Sequence, residues 1–598
     1  HLAGWTEARY YVRALNAGEA EARFPDLPSA AFLAAVAALA RRLHDRGFWH
    51  RDLSAGNVLI GPGAPGEEPP LALVDLNRAR HRARLRLSHR LRDLCRLPLM
   101  RREHQEALLG AYFGAAPPPA ARRLYRLYHR VFHGRHRFKN RWRGRLGALR
   151  AQLLPRRPYP HLPPPPPGAR ARERVVWDRL SDQPHQHAGG WAKLAVRLGD
   201  APNHARAAWG ASRLAPRALR RYRRLRAELY RRPVPFTGLG VGLRPWPQDP
   251  DGLLQAVDGL GVRHLLLRLH PWEAHHDDEE ALARALRERG CELSFALPQT
   301  RELVRDPVRW RQAVEELAAR FTPYGRRFVV GQAINRSKWG VWNVGEYQRL
   351  AGVAAQALRR HPGVEVLGPG VIDFEPHYTA AVLDWPGSAL RLDGLASLLY
   401  VDRRGAPENP QLGLDTVGKV TLLRALAETG RCVGAPRSWI TEVNWPLREG
   451  PHAPAGRHVA VDESTAADYL ARYYLLALAT GYVERVFWWQ LVARGYGLAV
   501  AEDGKLRRRP AYHALAALAR LLEGATFLGP LTAPSPAYLY HFRDAAGGEL
   551  VAAWCRQGSV EADLPWRPAA AIGRGGEELP PPPSPRVRLG PSVAYYRR

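Results

Sequence analysis

The chain has 598 residues, of which 46% are hydrophobic and 24% charged, and carries a formal net charge of +33 from 89 Lys and Arg against 56 Asp and Glu. Such a length predicts roughly three to five domains, and the absence of any apolar run near 18 residues excludes an integral helical membrane protein. The charge favours anionic partners (lipid head groups, phosphorylated saccharides, nucleic acid), while Cys95, Cys291, Cys432 and Cys555, in no CxxC spacing, exclude a disulfide framework and a structural zinc site.

The sequence opens on His1 and its single methionine is Met100, so a longer gene is expected. From Ser29 to Gly47, Phe32, Val36, Leu39 and Leu43 recur at helical spacing ahead of a glycine, which predicts an amphipathic helix. The next run, His50-Arg51-Asp52-Leu53-Ser54-Ala55-Gly56-Asn57, fits the pattern H-R-D-L-x-x-x-N at every specified position, and Val58-Leu59-Ile60 supplies the strand expected after it. An aspartate follows a second apolar strand in Leu73-Val74-Asp75-Leu76-Asn77. Phosphoryl transfer needs an attacking hydroxyl held in line and phosphate charge neutralised by metal, which gives these residues their roles. Asp52 is the predicted catalytic group toward the hydroxyl, and Asn57 and Asp75 are the predicted oxygen ligands of Mg²⁺ with ATP.

This run resembles the protein-kinase-like lipopolysaccharide core kinases. Asp75-Leu76-Asn77-Arg78-Ala79-Arg80, the basic stretch after it and Arg92-Asp93-Leu94 narrow the likeness to that family, over about a quarter of the chain. The resemblance implies a mainly helical catalytic lobe, ATP, Mg²⁺, a glycolipid acceptor and a cytoplasmic place peripheral to the inner membrane. Aminoglycoside-type and RIO-type kinases share the loop and stay as alternatives. The chain starts about 50 residues before Asp52 and shows no glycine-rich loop or strand lysine, so this polypeptide alone is not expected to turn over ATP.

The kinase-like lobe is expected over 1–154. A Pro-rich linker, with five consecutive prolines from Pro163 to Pro167, and a basic helical connector fill 155–233. Short apolar strands then alternate with helical patterns eight times over 234–522, which predicts a (β/α)8 barrel with strands near Phe236–Leu243, Val262–Leu269, Leu293–Leu297, Phe328–Val330, Val364–Leu367, Leu395–Tyr400, Trp439–Glu442 and Val486–Trp489. A small β-sandwich is expected over 523–598, from strands such as Ala537–Arg543 and Leu550–Cys555.

Reacting groups of such barrels lie at the C-terminal ends of the strands. There the sequence places Arg268, His270, Trp272 and Glu273 after the second strand, Tyr400 after the sixth, Glu442 after the seventh, and Trp488 and Trp489 on the eighth. Aromatic rings beside amides, carboxylates and arginines suit saccharides. The arrangement is similar to the clan A glycoside hydrolases, a likeness that makes Glu442 the nucleophile. It departs from them at Asn335-Arg336, where arginine stands in place of the acid/base glutamate. Glu375, with Asp373 and Glu273 behind it, is the expected substitute acid. Asn335, Arg336, Arg268, His270, Tyr400 and Trp488 are the expected saccharide contacts, with Trp339, Trp342 and Asn343 nearby.

The reading is a two-enzyme fusion acting on bacterial envelope glycan, with glycolipid or oligosaccharide as substrate and an anionic membrane surface as partner. Its alternative is a non-catalytic saccharide or lipid binder built from a pseudokinase lobe and an inactive barrel. No motif points to specific nucleic acid.

Overall fold

The structure, a computed structural model, describes residues 5–62, 69–135, 175–178, 182–186, 190–401, 405–448, 459–502 and 504–598. The expected proline linker at 155–168 lies outside them, as does the end of the arginine-rich segment before it. The chain divides into two units, residues 1–154 and 155–598.

In the first unit, helices Ala8–Ala17, Ser29–Asp45, Leu87–Leu94, Arg102–Phe113 and a helix over 119–135 enclose a core that includes Tyr11, Phe32, Val36, Leu91, Leu109 and Tyr125. The predicted helix ends two residues before its expected glycine stop, within ordinary fraying. A three-stranded antiparallel sheet (Thr6–Glu7, Val58–Ile60, Leu71–Leu73) and the ribbon Phe48–Trp49/Arg80–His81 hold the loop 50–57 between them.

The second unit is built on a closed barrel of eight parallel strands. They are β1 (Leu239–Leu243), β2 (His264–Arg268), β3 (Glu292–Leu297), β4 (Arg327–Val330), β5 (Glu365–Ile372), β6 (Gly394–Leu398), β7 (Ser438–Val443) and β8 (Arg485–Trp489). Leu266, Ala296, Val329, Leu367, Ala396, Trp439 and Phe487 fill the interior, one from each of β2 to β8. β1 contributes glycines instead, because a Cβ on Gly240 would stand 2.6 Å from the Phe487 ring and one on Gly242 2.2 Å from Trp489. Two large rings from β8 thus occupy the space that β1 leaves.

The expected divisions shift in three places. The strand predicted over Phe236–Leu243 is two strands: Val234–Phe236 pairs with Ala525–Pro530 in the C-terminal sheet, and β1 begins after the turn at Gly238. Gly238 has φ +94°, and a Cβ there would lie 1.9 Å from the Glu484 carbonyl oxygen. The C-terminal region, a seven-stranded sheet with the ribbon Val560–Asp563/Arg586–Leu589, is therefore not made from 523–598 alone. The basic connector contains the helix Ala201–Glu228, which belongs to the barrel's outer layer: its Arg213 and Arg217 bind the fully buried carboxylate of Asp384, and Arg221 pairs with Glu428. β5 runs five residues past its expected end through Gly368-Pro369-Gly370, residues that weaken a strand pattern but are tolerated at the irregular pairing with β6 between Pro369 and Val371. No helix among the described residues is long and apolar enough to cross a membrane.

Candidate functional sites

In the first unit the loop carrying Asp52 is fixed from below by one buried carboxylate. Asp93, on the helix Leu87–Leu94, accepts the backbone N–H groups of His50 (2.9 Å) and Arg51 (2.8 Å) and lies 3.2 Å from His44 Nε2. Arg51 adopts φ +66°, a conformation costly for a non-glycine residue, and its amide is one of the two that Asp93 holds. The oxygens of Asp52 face Arg96 (3.1 Å) and Arg78 (3.5 Å). Asn57 donates its Nδ2 to the Asp52 carbonyl at 2.8 Å, and its own carbonyl accepts the Val74 N–H at 3.0 Å, so the following Asp75 is tied to the same loop. Asp75 sits at φ +58° and accepts from Asn77 Nδ2 at 2.9 Å.

Residues 13–112 match the Lipopolysaccharide kinase (Kdo/WaaP) family. The matched segment contains Asp52, Asn57, Asp75 and Asp93. Its donor set fits a hard divalent cation: with its amide nitrogen spent on Asp52, Asn57 offers its Oδ1, and Asp75 offers a carboxylate. Asp93 is the functional residue that sequence reading undervalued. It appears there only as part of a motif, 41 positions after Asp52, and nothing local says that it anchors the loop.

In the second unit, Glu442 is the centre of the barrel mouth. Its Oε2 accepts from Arg268 Nη2 (2.8 Å) and Gln332 Nε2 (2.6 Å), and its Oε1 accepts from the Tyr400 hydroxyl. Strict alternation from the inward Trp439 would turn Glu442 outward. The pairing of β7 with β8 slips by one residue between Ile440 and Val443, and this bulge lets Glu442 reach Arg268. Arg268 lies 3.7 Å over the Trp489 ring, and Gln299 pins Gln332 through both backbone groups, N–H to Oε1 at 2.9 Å and C=O to Nε2 at 3.0 Å.

A short hairpin, Val175–Asp178 with Gln183–Gln186, reaches the same place. Asp182 at its turn binds Arg268 Nη1 (2.8 Å) and His270 Nε2 (2.8 Å) and is almost wholly buried. Burial opposes its charge, but His270 and Arg268 outweigh burial and hold its carboxyl well below the usual range. Trp177 of the hairpin packs edge-on against His270, Trp272 and Trp339.

Thus Arg268, Tyr400 and Glu442 meet, and His270 joins them through Asp182. The other expected site residues do not meet Glu442 in this way. Glu375 accepts from Arg336 Nη1 (2.7 Å) and Asn335 Nδ2 (2.8 Å), one on each oxygen, and Arg336 Nη2 also binds Asp373 (2.7 Å). Asn335 further braces β5 by bonding both backbone groups of Ile372. Trp488 points away from the mouth into the outer layer, stacked 5.8 Å from Trp445 with its Nε1 donating to the Tyr496 carbonyl, because adjacent strand residues face opposite sides and Trp489 takes the inner one. Asn343 caps the helix Val344–Leu358. Trp342 lies under Arg301. Gln332 and Asp182 went unrecognised: amide and hairpin residues carry no sequence signal until the fold brings them to an arginine.

Among solved structures, the chain is similar to the catalytic domain of GH30 xylanase C from Talaromyces cellulolyticus, at 10% identity over 61% of this chain and 97% of that one, with a TM-score of 0.41. It is similar to an alpha-L-arabinofuranosidase from Thermotoga maritima, at 11% identity over 62% and 98%, with a TM-score of 0.42. A beta-glucosidase from Pyrococcus furiosus aligns at 12% identity over 48% and 96%, with a TM-score of 0.34. No curated protein sequence matches the chain.

Proposed function

We propose that the first unit is the catalytic lobe for transfer of the terminal phosphoryl group of ATP to a sugar hydroxyl of an envelope glycolipid, and that the barrel recognises saccharide of the same class. The observation that carries the first part is the loop geometry, with Asn57 bonded to the Asp52 carbonyl and to the Val74 amide just before Asp75, and Asp93 fixing the turn beneath them. Magnesium-bound ATP, held by Asn57 and Asp75, would supply the phosphoryl group and neutralise its charge. Asp52 orients the acceptor hydroxyl and accepts the proton it loses as its oxygen bonds the γ-phosphorus and the bond from that phosphorus to the bridging oxygen breaks, with ADP leaving. Arg78, exposed and 3.5 Å from Asp52, is placed to meet the acceptor's own phosphates. The test is phosphate transfer from γ-labelled ATP to purified core glycolipid by the protein expressed from its complete gene. Incorporation that disappears in Asp52→Asn supports the reading, and label transferred equally well by that variant sinks it.

For the barrel, one observation favours binding over ordinary retaining hydrolysis. That mechanism needs a second carboxyl able to give a proton. Both Glu375 oxygens accept from Arg336 and Asn335, Asp182 is held ionised, and Gln332 rather than an acid touches Glu442. Glu442, Arg268, Tyr400 and the Trp489 ring form the saccharide-recognising end. Turnover of aryl glycosides that is lost in Glu442→Gln would restore hydrolysis as the better reading.

A further inference from the structure

The loop that leaves β2 and the first turn of the helix Asp277–Glu288 after it carry four potential metal ligands at a regular spacing of three: His270, Glu273, His276 and Glu279. Ligand atoms of His270, Glu273 and Glu279 lie within 4.8 Å of one another. His276 is 97% buried by its 3% exposure, its Nδ1 makes no hydrogen bond, and that nitrogen stands 3.8 Å from Glu279 Oε2. We propose that these residues bind one first-row divalent cation of the zinc class at the edge of the barrel mouth.

The charges around the loop point the same way. Arg320 satisfies Asp277 and Glu280 on either side of Glu279, while Glu279 itself, 9% exposed, has its own backbone N–H as a hydrogen-bond donor and only His276 as an ion-pair partner among the described residues. A carboxylate that far from water needs a cation or hydrogen bonds to offset lost hydration. The Nδ1 beside it, also out of water and unbonded, offers a lone pair. A divalent ion between them satisfies both.

His270 is already oriented as a ligand. Its Nε2 is engaged by Asp182 at 2.8 Å, which leaves Nδ1 for the metal, and a carboxylate on the distal nitrogen is the usual support of a metal-bound histidine. Trp177 and Trp272, with ring centroids 5.5 and 5.1 Å from the imidazole, wall the site. Two imidazoles with two carboxylates and no thiolate suit zinc and its neighbours better than calcium or magnesium, which prefer all-oxygen shells. Ligand atoms around zinc stand about 3.4 Å apart for bonds of about 2.1 Å, so His270, Glu273 and Glu279 must draw together, His276, which lies beside Glu279 but outside that group of three, must close on them, and Glu273, exposed on the loop, has the freedom to move. Because Asp182 also binds Arg268, the ion would brace the hydrogen-bonded chain that ends on Glu442.

The test uses the untagged protein stripped with chelator and titrated with Co²⁺ alone. Expected are one equivalent bound, a visible d–d band that Zn²⁺ displaces, and affinity at least about tenfold weaker in both Glu279→Gln and Glu273→Gln. Glu273 is exposed, so its variant stays interpretable even where Glu279→Gln fails to fold. Absence of a band at one equivalent overturns the proposal. So does binding that Glu273→Gln leaves unchanged, since the ion would then sit on other histidines of the chain.

Discussion

At the scale of single residues, the two sites use buried charge in different ways. Asp93 satisfies two backbone amides and faces His44, so its value lies in where it puts Asp52. Two variants separate these roles. Asp52→Asn is expected to lower phosphotransfer by about 10²–10⁴-fold while leaving the urea midpoint of unfolding nearly unchanged. Asp93→Asn turns an amide toward donors it must accept from, at about 1–3 kcal/mol for each one left unpaired, and is expected to lower that midpoint as well as activity. Most of the first site was readable in sequence because Asp52 and Asn57 sit on one loop with Asp75 close behind. In the barrel only Glu442, Arg268, His270 and Tyr400 could be read. Trp489 was masked by Trp488 beside it, since alternation decides which ring faces in and a pair of tryptophans leaves the phase open. Glu442→Gln should cost about 3–5 kcal/mol if Arg268 is left an uncompensated charge, and less if Asp182 alone suffices to hold it. Comparing its unfolding free energy with that of Glu442→Gln combined with Asp182→Asn measures how the pair shares Arg268.

At the scale of elements, the eight strands were legible from their apolar runs, but the turn at Gly238 and the far end of β5 through Gly368-Pro369-Gly370 were not, and at the N-terminal rim a charged belt that looks like loop hides the first residue of several strands. Glu292 takes Arg327 and Arg485, Glu365 takes Arg327 and Arg437, and Glu484 takes Arg437 and the Trp439 indole. His264 opens β2 inside this belt. Burial, with Arg485 adding to it and Arg327 also opposing protonation, lowers its pKa from 6.5 to about 4, although Glu292 and Glu484 pull the other way. Below pH 6.5 the unfolded chain therefore binds a proton that the folded one refuses. This contribution to stability is complete above about pH 6.5 and is lost as pH falls toward 4, by up to about 3 kcal/mol. His264→Gln should remove that slope, which unfolding curves at several pH values would reveal. Equal slopes in both proteins would mean that His264 is protonated in the fold. The split strand at Gly238 makes a second prediction, since Gly238→Ala meets both a positive φ and the Glu484 carbonyl. Its loss of stability should exceed the roughly 1 kcal/mol of an ordinary glycine replacement, read from the same curves.

At the scale of the whole molecule, the charge of +33 was plain from composition, but how much of it is available was not. In the helix Ala201–Glu228, three arginines that look like a solvated basic face are spent on Asp384 and Glu428 of the barrel. Such pairing redistributes charge without changing its sum, and so leaves the net excess of 33 positive charges to be met by solvent and partners. Phosphorylation of a glycolipid, as proposed, would gain from that excess, since each basic side chain near an anionic bilayer contributes about 1 kcal/mol. The protein should therefore co-sediment with vesicles containing phosphatidylglycerol at about 50 mM salt, and leave them at about 500 mM, where the screening length falls to a few ångströms. Neutral phosphatidylcholine vesicles should not hold it at either salt. Retention at high salt would mean that apolar side chains enter the bilayer and that charge is secondary. Failure at low salt would remove the membrane surface from the proposed function while leaving the loop of Asp52 and its chemistry untouched, because nothing in that geometry depends on where the acceptor is embedded.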